Sequence, residues 1–443
     1  MSIQSPSIQA EDVQSNSKPK AVAKADKHIW GIFIALCIIS TIELYSASSR
    51  EVASSSIGVM GPILRHLVML GGGALLVYFL SKRHYSDFIP LTLIFAGVSV
   101  VMMIYVMFFG EIVNGARRSL TILGIGIYPA EMVKLSAVLL IALVMTWNPN
   151  TKNVGVTSKA VVYSGFIVLF LSGLLIEQGL TNTLLLLAIS YSMMIVGGVR
   201  FWHLLLLTIA YAACGGVFIL YILFSEPKDI PADAEQQIEM VSGTAKKNPN
   251  RLDTWIARVQ RHGQDSVPKW EIPATGKNRQ EILSYMAQAN GGLYGVGPGN
   301  SREASRLPLA FSDYIFAIII EELGLIGGIV VLVLYLWLLG RASGIASHCN
   351  RTYPALVVIG MAIMIAFQAL FHMGIVSGVF PVSGQPLPLL SKGGTSILVT
   401  AIAFGIMLSI SRTATRQGGK KQDIRDEIDS LPEEFGAENQ MQL

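Results

Sequence analysis

Charge is what this sequence has least of: 14% of its 443 residues are Asp, Glu, Lys or Arg, while 52% are apolar. A soluble domain carries roughly a quarter charged residues, so a water-soluble enzyme of this length is excluded. Cysteine is scarce too. Cys37, Cys214 and Cys349 lie far apart, the first two inside apolar blocks, which supports neither a disulfide framework nor a thiolate metal site. No grouping of His, Asp and Glu has the spacing of a zinc site. A cleavable leader is absent from the reading, because the first 28 residues are polar and carry lysines. No internal repeat argues for a transporter built of two halves, and nothing points to nucleic acid as a partner.

What is present is a series of apolar blocks of about 20 residues, each long enough to cross a ~30 Å hydrocarbon core as helix. They raise the mean hydropathy to +0.54. Ten spans are predicted, at 29–48, 61–81, 88–110, 127–147, 160–177, 180–198, 201–224, 313–340, 354–378 and 387–411. The fold class is therefore an all-α polytopic membrane protein with ten transmembrane helices. Helices 1–7 occupy 29–224 and helices 8–10 occupy 313–411, with a large extracytoplasmic loop at 225–312 between them. Residues 1–28 and 412–443 read as disordered cytoplasmic tails, too polar to bury a core.

Orientation follows from Lys and Arg in the short loops. With the N-terminus inside, the inner side holds Lys18, Lys20, Lys24, Lys27, Lys82, Arg83, Lys152, Lys159 and Arg200, while the outer short loops hold only Arg50, Arg117 and Arg118. Both termini are thus expected in the cytoplasm. In the long loop, Leu252, Trp255, Ile256 and Val259 recur at helical spacing among arginines, the pattern of an amphipathic helix on a membrane surface. A second short helix is predicted over 279–290. Gly291, Gly292, Gly295, Gly297 and Gly299 then impose turns, read as a bent re-entry into the membrane.

Charges inside the spans are costly, about 2.5–3.5 kcal/mol each at the bilayer centre, so each is a candidate. Glu131 and Lys134 lie three residues apart on one helical face, where they either lock helix packing or line a polar cavity. Arg117 and Arg118 form an outer basic pair; guanidinium forks suit phosphate oxygens, whether of a lipid headgroup or a specific ligand. Asp313 stands at the start of the eighth span, as a helix cap or as a reactive carboxylate. Glu321, about 12 Å further along the helix, is too distant to share its proton, and Glu322 reads as half of a packing pair. Lys392, after Ser391, either snorkels outward or points into the cavity of Asp313. Glu43 and Glu177 are read as isolated and near interfaces, without a role. His372 reads as a core histidine.

Several of these residues belong to motifs that resemble one family. Asn-Gly-Ala-Arg-Arg at 114–118, Pro129-Ala130-Glu131 with Lys134, Leu307-Pro308, Ser312-Asp313-Tyr314-Ile315-Phe316-Ala317, Glu321-Glu322-Leu323-Gly324, Met373-Gly374, Phe380-Pro381-Val382 and Pro386-Leu387-Pro388 to Gly393-Gly394 follow one another in the order seen in the SEDS family of bacterial cell-wall proteins. Gly297-Pro298-Gly299-Asn300-Ser301 and the stretch from Arg251 to Trp255 look more like the division-type branch, FtsW, than the elongation-type branch, RodA. The chain departs from the family pattern in places. Tyr128-Pro129-Ala130-Glu131 replaces Gln-Pro-Ser-Glu, and Lys392 replaces a Tyr before the paired glycines. His372 replaces an Asn. The usual Pro-Asp-x-Gly after the fifth span is here Gln178-Gly179-Leu180-Thr181, without its acid.

The resemblance implies a peptidoglycan glycosyltransferase that polymerises lipid II on the outer face of the cytoplasmic membrane. It implies Asp313 as general base, and a class B penicillin-binding protein and other divisome membrane proteins as partners. In that frame Arg117, Arg118 and Lys392, with Ser391 beside them, would hold the pyrophosphate, and Glu131 and Lys134 would shape the cavity or position the acceptor. A divalent cation such as Mg²⁺ suits a pyrophosphate, but nothing in the sequence demands one. The alternatives are a flippase for a lipid-linked precursor, which has little use for a carboxylate confined to the outer rim, and a non-catalytic divisome scaffold.

Overall fold

The computed structural model describes residues 25–47, 60–113, 116–122, 125–147, 156–176, 178–224, 278–307 and 310–429. The expected amphipathic helix around Trp255 and the residue Glu177 lie outside them. Eleven helices account for most of the described chain: α1 (Lys27–Ala47), α2 (Met60–Lys82), α3 (Phe88–Phe109), α4 (Pro129–Trp147), α5 (Ser158–Ile176), α6 (Leu180–Val196), α7 (Phe201–Phe224), α8 (Arg279–Gly291), α9 (Ile315–Ser347), α10 (Thr352–Val376) and α11 (Gly394–Asp429). Eight of them are long and apolar enough to span a membrane, and the apolar stretches Leu180–Val196 and Phe201–Gly216 supply the remaining two of ten. Helix α8 is the short helix predicted over 279–290. The last span starts later than predicted, at Gly394, because residues 387–393 form an irregular approach to it; its helix runs on to Asp429.

Burial sorts the helices into an inner and an outer set. Nearly every residue of α4 and α10 that faces another helix is buried, Lys134 and His372 included. By contrast Ile94, Val101, Phe108 and Phe109 of α3 and Phe166 and Phe170 of α5 are exposed, as lipid-facing side chains of a membrane bundle are. Helix α4 packs against α3, α5, α6 and α10, and α11 closes the bundle against α2. Glu43, expected near an interface, lies four residues from the end of α1 and is fully buried on its inner face. It faces Glu322 of α9, and both its carboxyl oxygens lack a hydrogen-bond partner among the described residues.

One addition to the helical plan lies between α3 and α4. Strands β1 (Glu111–Val113), β2 (Ala116–Ile122) and β3 (Ile125–Ile127) form a small antiparallel meander. Arg117 pairs with Ile112 and Leu120 with Ile127. The alternation that makes a strand is hidden here among glycines and arginines, so the segment reads as loop from sequence. Thr395 pins the sheet to α11: its hydroxyl donates to Gly126 O (3.0 Å) and accepts from Tyr128 N (3.0 Å).

The glycine run after α8 turns back against α9, which breaks at Gly324 (φ 74°, ψ −177°). The break removes helical hydrogen bonds where lipid offers none in return. The loop supplies replacements: Val296 N to Glu321 O and Gly297 N to Glu322 O (both 2.9 Å), and Leu325 N to Gly292 O (3.0 Å). The Glu321 carboxylate accepts from Asn290 Nδ2 (3.3 Å), Arg302 N (3.1 Å) and the Ser301 hydroxyl, so it serves as a clamp for this loop. Gly295 has φ +81°, and a Cβ there would meet the Glu322 carbonyl. Gly295→Ala combines left-handed strain with overpacking and is expected to destabilise the protein by about 2–4 kcal/mol. A lower unfolding midpoint in a denaturing-detergent titration is the check.

Candidate active site

Asp313 sits two residues before α9, and the start of that helix brings its carboxyl to one end of the bundle. Ser312 Oγ donates to Asp313 Oδ1 (2.6 Å). On the other side lies Gly384, at φ +69°, where a Cβ would come within 3.0 Å of Asp313 Oδ2. No side chain fits between them. Burial pushes the Asp313 carboxyl above the usual carboxylate range, opposed by the Ser312 hydrogen bond and by the charge of Arg118. Tyr128, at the entry to α4, belongs to the same neighbourhood: burial and the charges of Asp313 and Glu111 raise its phenol, while Arg118 lowers it.

The two arginines part company. Neighbours on a strand point to opposite faces. Arg117 Nη1 donates to Phe108 O at the end of α3, whereas Arg118 turns toward Asp313 and toward Gly179 at the start of α6. Its Nη2 lies 3.5 Å from where a Gly179 Cβ would stand. Ser391 bridges two segments. Its single donor is spent on Ser312 O (2.7 Å) and its oxygen accepts from Leu387 N (2.6 Å), so the hydroxyl ties the approach to α11 to the residue beside Asp313. Lys392 N donates to Phe311 O (2.8 Å), and its ammonium lies near His66 of α2.

Beneath this rim lies the predicted pair, and it is buried. Lys134 Nζ donates to Glu131 Oε1 at 2.8 Å, with Lys134 0% and Glu131 6% exposed. Gln368 of α10 completes it, donating to Glu131 Oε2 (3.1 Å) and to Pro386 O (3.3 Å). Through Gln368 the pair reaches the backbone carbonyl of Pro386. Next to Pro386, Gln385 O faces His372 Nδ1 (2.6 Å) and Gln385 Nε2 donates to Asn182 Oδ1 (2.9 Å). A scan for charges passes over Gln368, Gln385, Asn182 and Tyr128; amides in mid-span are the signal that finds the first.

Mg²⁺ on a pyrophosphate is held by one or two carboxylates together with the phosphate oxygens, not by an all-protein cage. Among the described residues no three His, Cys, Asp or Glu side chains come together to hold a metal ion, and the positive charge beside Asp313 comes from Arg118.

The chain is similar to several known proteins along most of its length. The probable peptidoglycan glycosyltransferase FtsW of Coxiella burnetii is 27% identical over 396 residues, covering 85% of this chain and 95% of that protein. Stage V sporulation protein E of Bacillus subtilis is 28% identical, covering 86% and 95%. The peptidoglycan glycosyltransferase MrdB of Escherichia coli is 26% identical, covering 86% and 91%. These similar identities leave the branch within the family open. Among solved structures, a chain of a peptidoglycan synthase complex described as coordinating polymerization and crosslinking matches with TM-score 0.61 at 22% identity, covering 88% of this chain and 98% of that one. The rod shape determining protein RodA of Thermus thermophilus matches at 0.56 and 22%, covering 89% and 98%. The cell cycle protein family that unites FtsW, RodA and SpoVE matches residues 26–416, and the chain belongs to it.

Proposed function

We propose that this protein is a peptidoglycan glycosyltransferase that polymerises lipid II at the outer face of the cytoplasmic membrane during cell division, with both termini in the cytoplasm. Asp313 is its general base. The observation that carries this reading is the half-buried carboxyl of Asp313 with a guanidinium beside it and a glycine on its other side. A sugar hydroxyl attacks the anomeric carbon of a second lipid-linked sugar, and the bond from that carbon to the pyrophosphate oxygen breaks. The hydroxyl proton passes to Asp313, and undecaprenyl pyrophosphate leaves. Arg118 stabilises the charge that grows on the leaving group. Glu131, Lys134, Gln368 and Ser391 act at one remove, by fixing residues 384–391 and Ser312 around the carboxyl. A class B penicillin-binding protein would crosslink the strands, with other divisome membrane proteins alongside.

Purified protein with its partner transpeptidase, given labelled lipid II, is expected to form glycan chains. Translocation of lipid II across vesicles without polymer would instead indicate a flippase. Burial raises the Asp313 carboxyl and the base must be ionised, so the acidic limb of kcat/KM is expected above the ordinary aspartate value of about 3.9. Arg118 lowers that carboxyl, so Arg118→Gln should move the limb further up. A pH–rate series on the two proteins reads the shift.

A further inference from the structure

The wall that faces Asp313 is not self-supporting. Residues 381–387 form neither helix nor strand, so no backbone ladder holds them. Gly384 (φ +69°) and Leu389 (φ +64°) both take the left-handed conformation, which is strained for the leucine. Such a segment keeps its shape where contacts from other elements over-determine it. Gln368 gives one contact, to Pro386 O (3.3 Å), and Ser391 another, to Leu387 N (2.6 Å). Neither touches Gly384 or its immediate neighbours, although Gly384 is the residue whose missing Cβ leaves room for Asp313 Oδ2.

Gln385, next in the chain, is fixed at both ends. Its carbonyl lies 2.6 Å from His372 Nδ1 in α10. A carbonyl only accepts, so Nδ1 carries the hydrogen. The Gln385 side chain donates from Nε2 to Asn182 Oδ1 (2.9 Å) in the first turn of α6. Asn182 N in turn donates to Gly179 O (3.0 Å), and Arg118 lies beside Gly179. Gln385 therefore stands between the wall of Asp313 and the helix start next to Arg118. His372 is 1% and Gln385 4% exposed. His372 Nε2 has no hydrogen-bond partner among the described residues, so the bond to Gln385 O is the polar contact that orients the ring.

We propose that His372 is a positioning residue for glycosyl transfer: through Gln385 it keeps Gly384 against the Asp313 carboxyl and ties that wall to the start of α6. The inference rests on the glycosyltransferase reading and deepens it. It also gives a reason for the departure from the family pattern at this place, where His372 stands for an Asn. Asn Nδ2 and His Nδ1 occupy the same position along their side chains, so either residue presents an N–H to the same carbonyl. The charged and titratable groups that face Asp313 are Arg118 of β2 and Tyr128 at the entry to α4. Neither belongs to this network, so its loss acts on Asp313 through the wall alone.

Two readouts on the full chain in phosphatidylcholine nanodiscs test this. Carbodiimide labelling of carboxyl groups, read peptide by peptide in a mass spectrometer, follows the wall without any polymer. Asp313 is expected to label several-fold faster in His372→Leu than in the parent, and at the parent rate in His372→Asn. The exposed Glu111 should label alike in all three. The second readout is polymer formation from labelled lipid II across pH. His372→Leu should lower kcat roughly 10- to 100-fold with KM little changed. Its acidic limb of kcat/KM should move down, toward the ordinary aspartate value of about 3.9, because the carboxyl loses its cover. His372→Asn should keep the parental limb. Asn182→Leu cuts the other end of the tie and is expected to act like His372→Leu, which keeps the test open should that variant not fold. Equal labelling of Asp313 in the parent and in folded His372→Leu would overturn the proposal. So would an acidic limb that stays in place, which would reduce His372 to a packing residue, or His372→Asn behaving like His372→Leu. A parent that shows the labelling pattern but makes no polymer would remove the glycosyltransferase reading and leave the wall standing.

Discussion

Asp313→Asn is expected to lower glycan polymerisation by roughly 10²–10⁴-fold, the range that a positioned base contributes. The amide keeps an oxygen to accept from the Ser312 hydroxyl, which donates to Oδ1 at 2.6 Å, and it matches the volume allowed by Gly384. Folding should therefore be untouched, and what is lost is the capacity to take a proton. Polymer yield from labelled lipid II, beside a thermal melt of the same preparation, separates the two effects. Asp313→Glu is expected to fail as well, for a different reason: one more methylene carries the carboxyl away from the Ser312 hydroxyl and toward Gly384, whose absent Cβ would stand 3.0 Å from Oδ2. Polymer from Asp313→Asn at the parent rate would remove Asp313 as base.

Lys134→Met is expected to be the most destabilising single change, by about 3–5 kcal/mol, because it leaves a buried carboxylate without its cation. Among the described residues Glu131 would retain only the Gln368 amide at 3.1 Å, in a place where Lys134 is 0% and Glu131 6% exposed. Removing both charges is a different matter, since a buried ion pair replaced by apolar side chains of similar size is often neutral. Glu131→Leu/Lys134→Met should thus recover most of the stability in a denaturing-detergent titration. Activity should recover less, because Gln368 then holds Pro386 O by a single 3.3 Å contact. A double variant as unstable as the single one would show that the pair does more than satisfy itself.

The apolar blocks announced the bundle because lipid demands about 20 apolar residues per crossing, and no other constraint in the chain is as simple. Asp313 and the i,i+3 pair Glu131–Lys134 were legible for a related reason: charges near or within apolar spans stand out. The companions of those charges did not. Gln368 and Gln385 carry no charge, yet they carry the contacts that join α4, α6 and α10 around residues 384–386. Arg117 and Arg118 read as a pair in sequence, where the directions of their side chains are not visible. Both lie on β2, whose period of two turns their side chains to opposite faces. Glu43 reads as an isolated acid, since nothing local in α1 reveals that α9 brings a second carboxylate, Glu322, beside it.

The break in α9 at Gly324 bears on how the chain enters the bilayer. Its open carbonyls and amides are matched by residues 292–297, which leave the ribosome before it does. A bent helix inserted alone would carry those groups bare into hydrocarbon, so the partition favours α8, the glycine turns and α9 going in as one hairpin-like body. Biogenesis of this half of the protein then hinges on a preassembled intermediate rather than on a succession of independent spans.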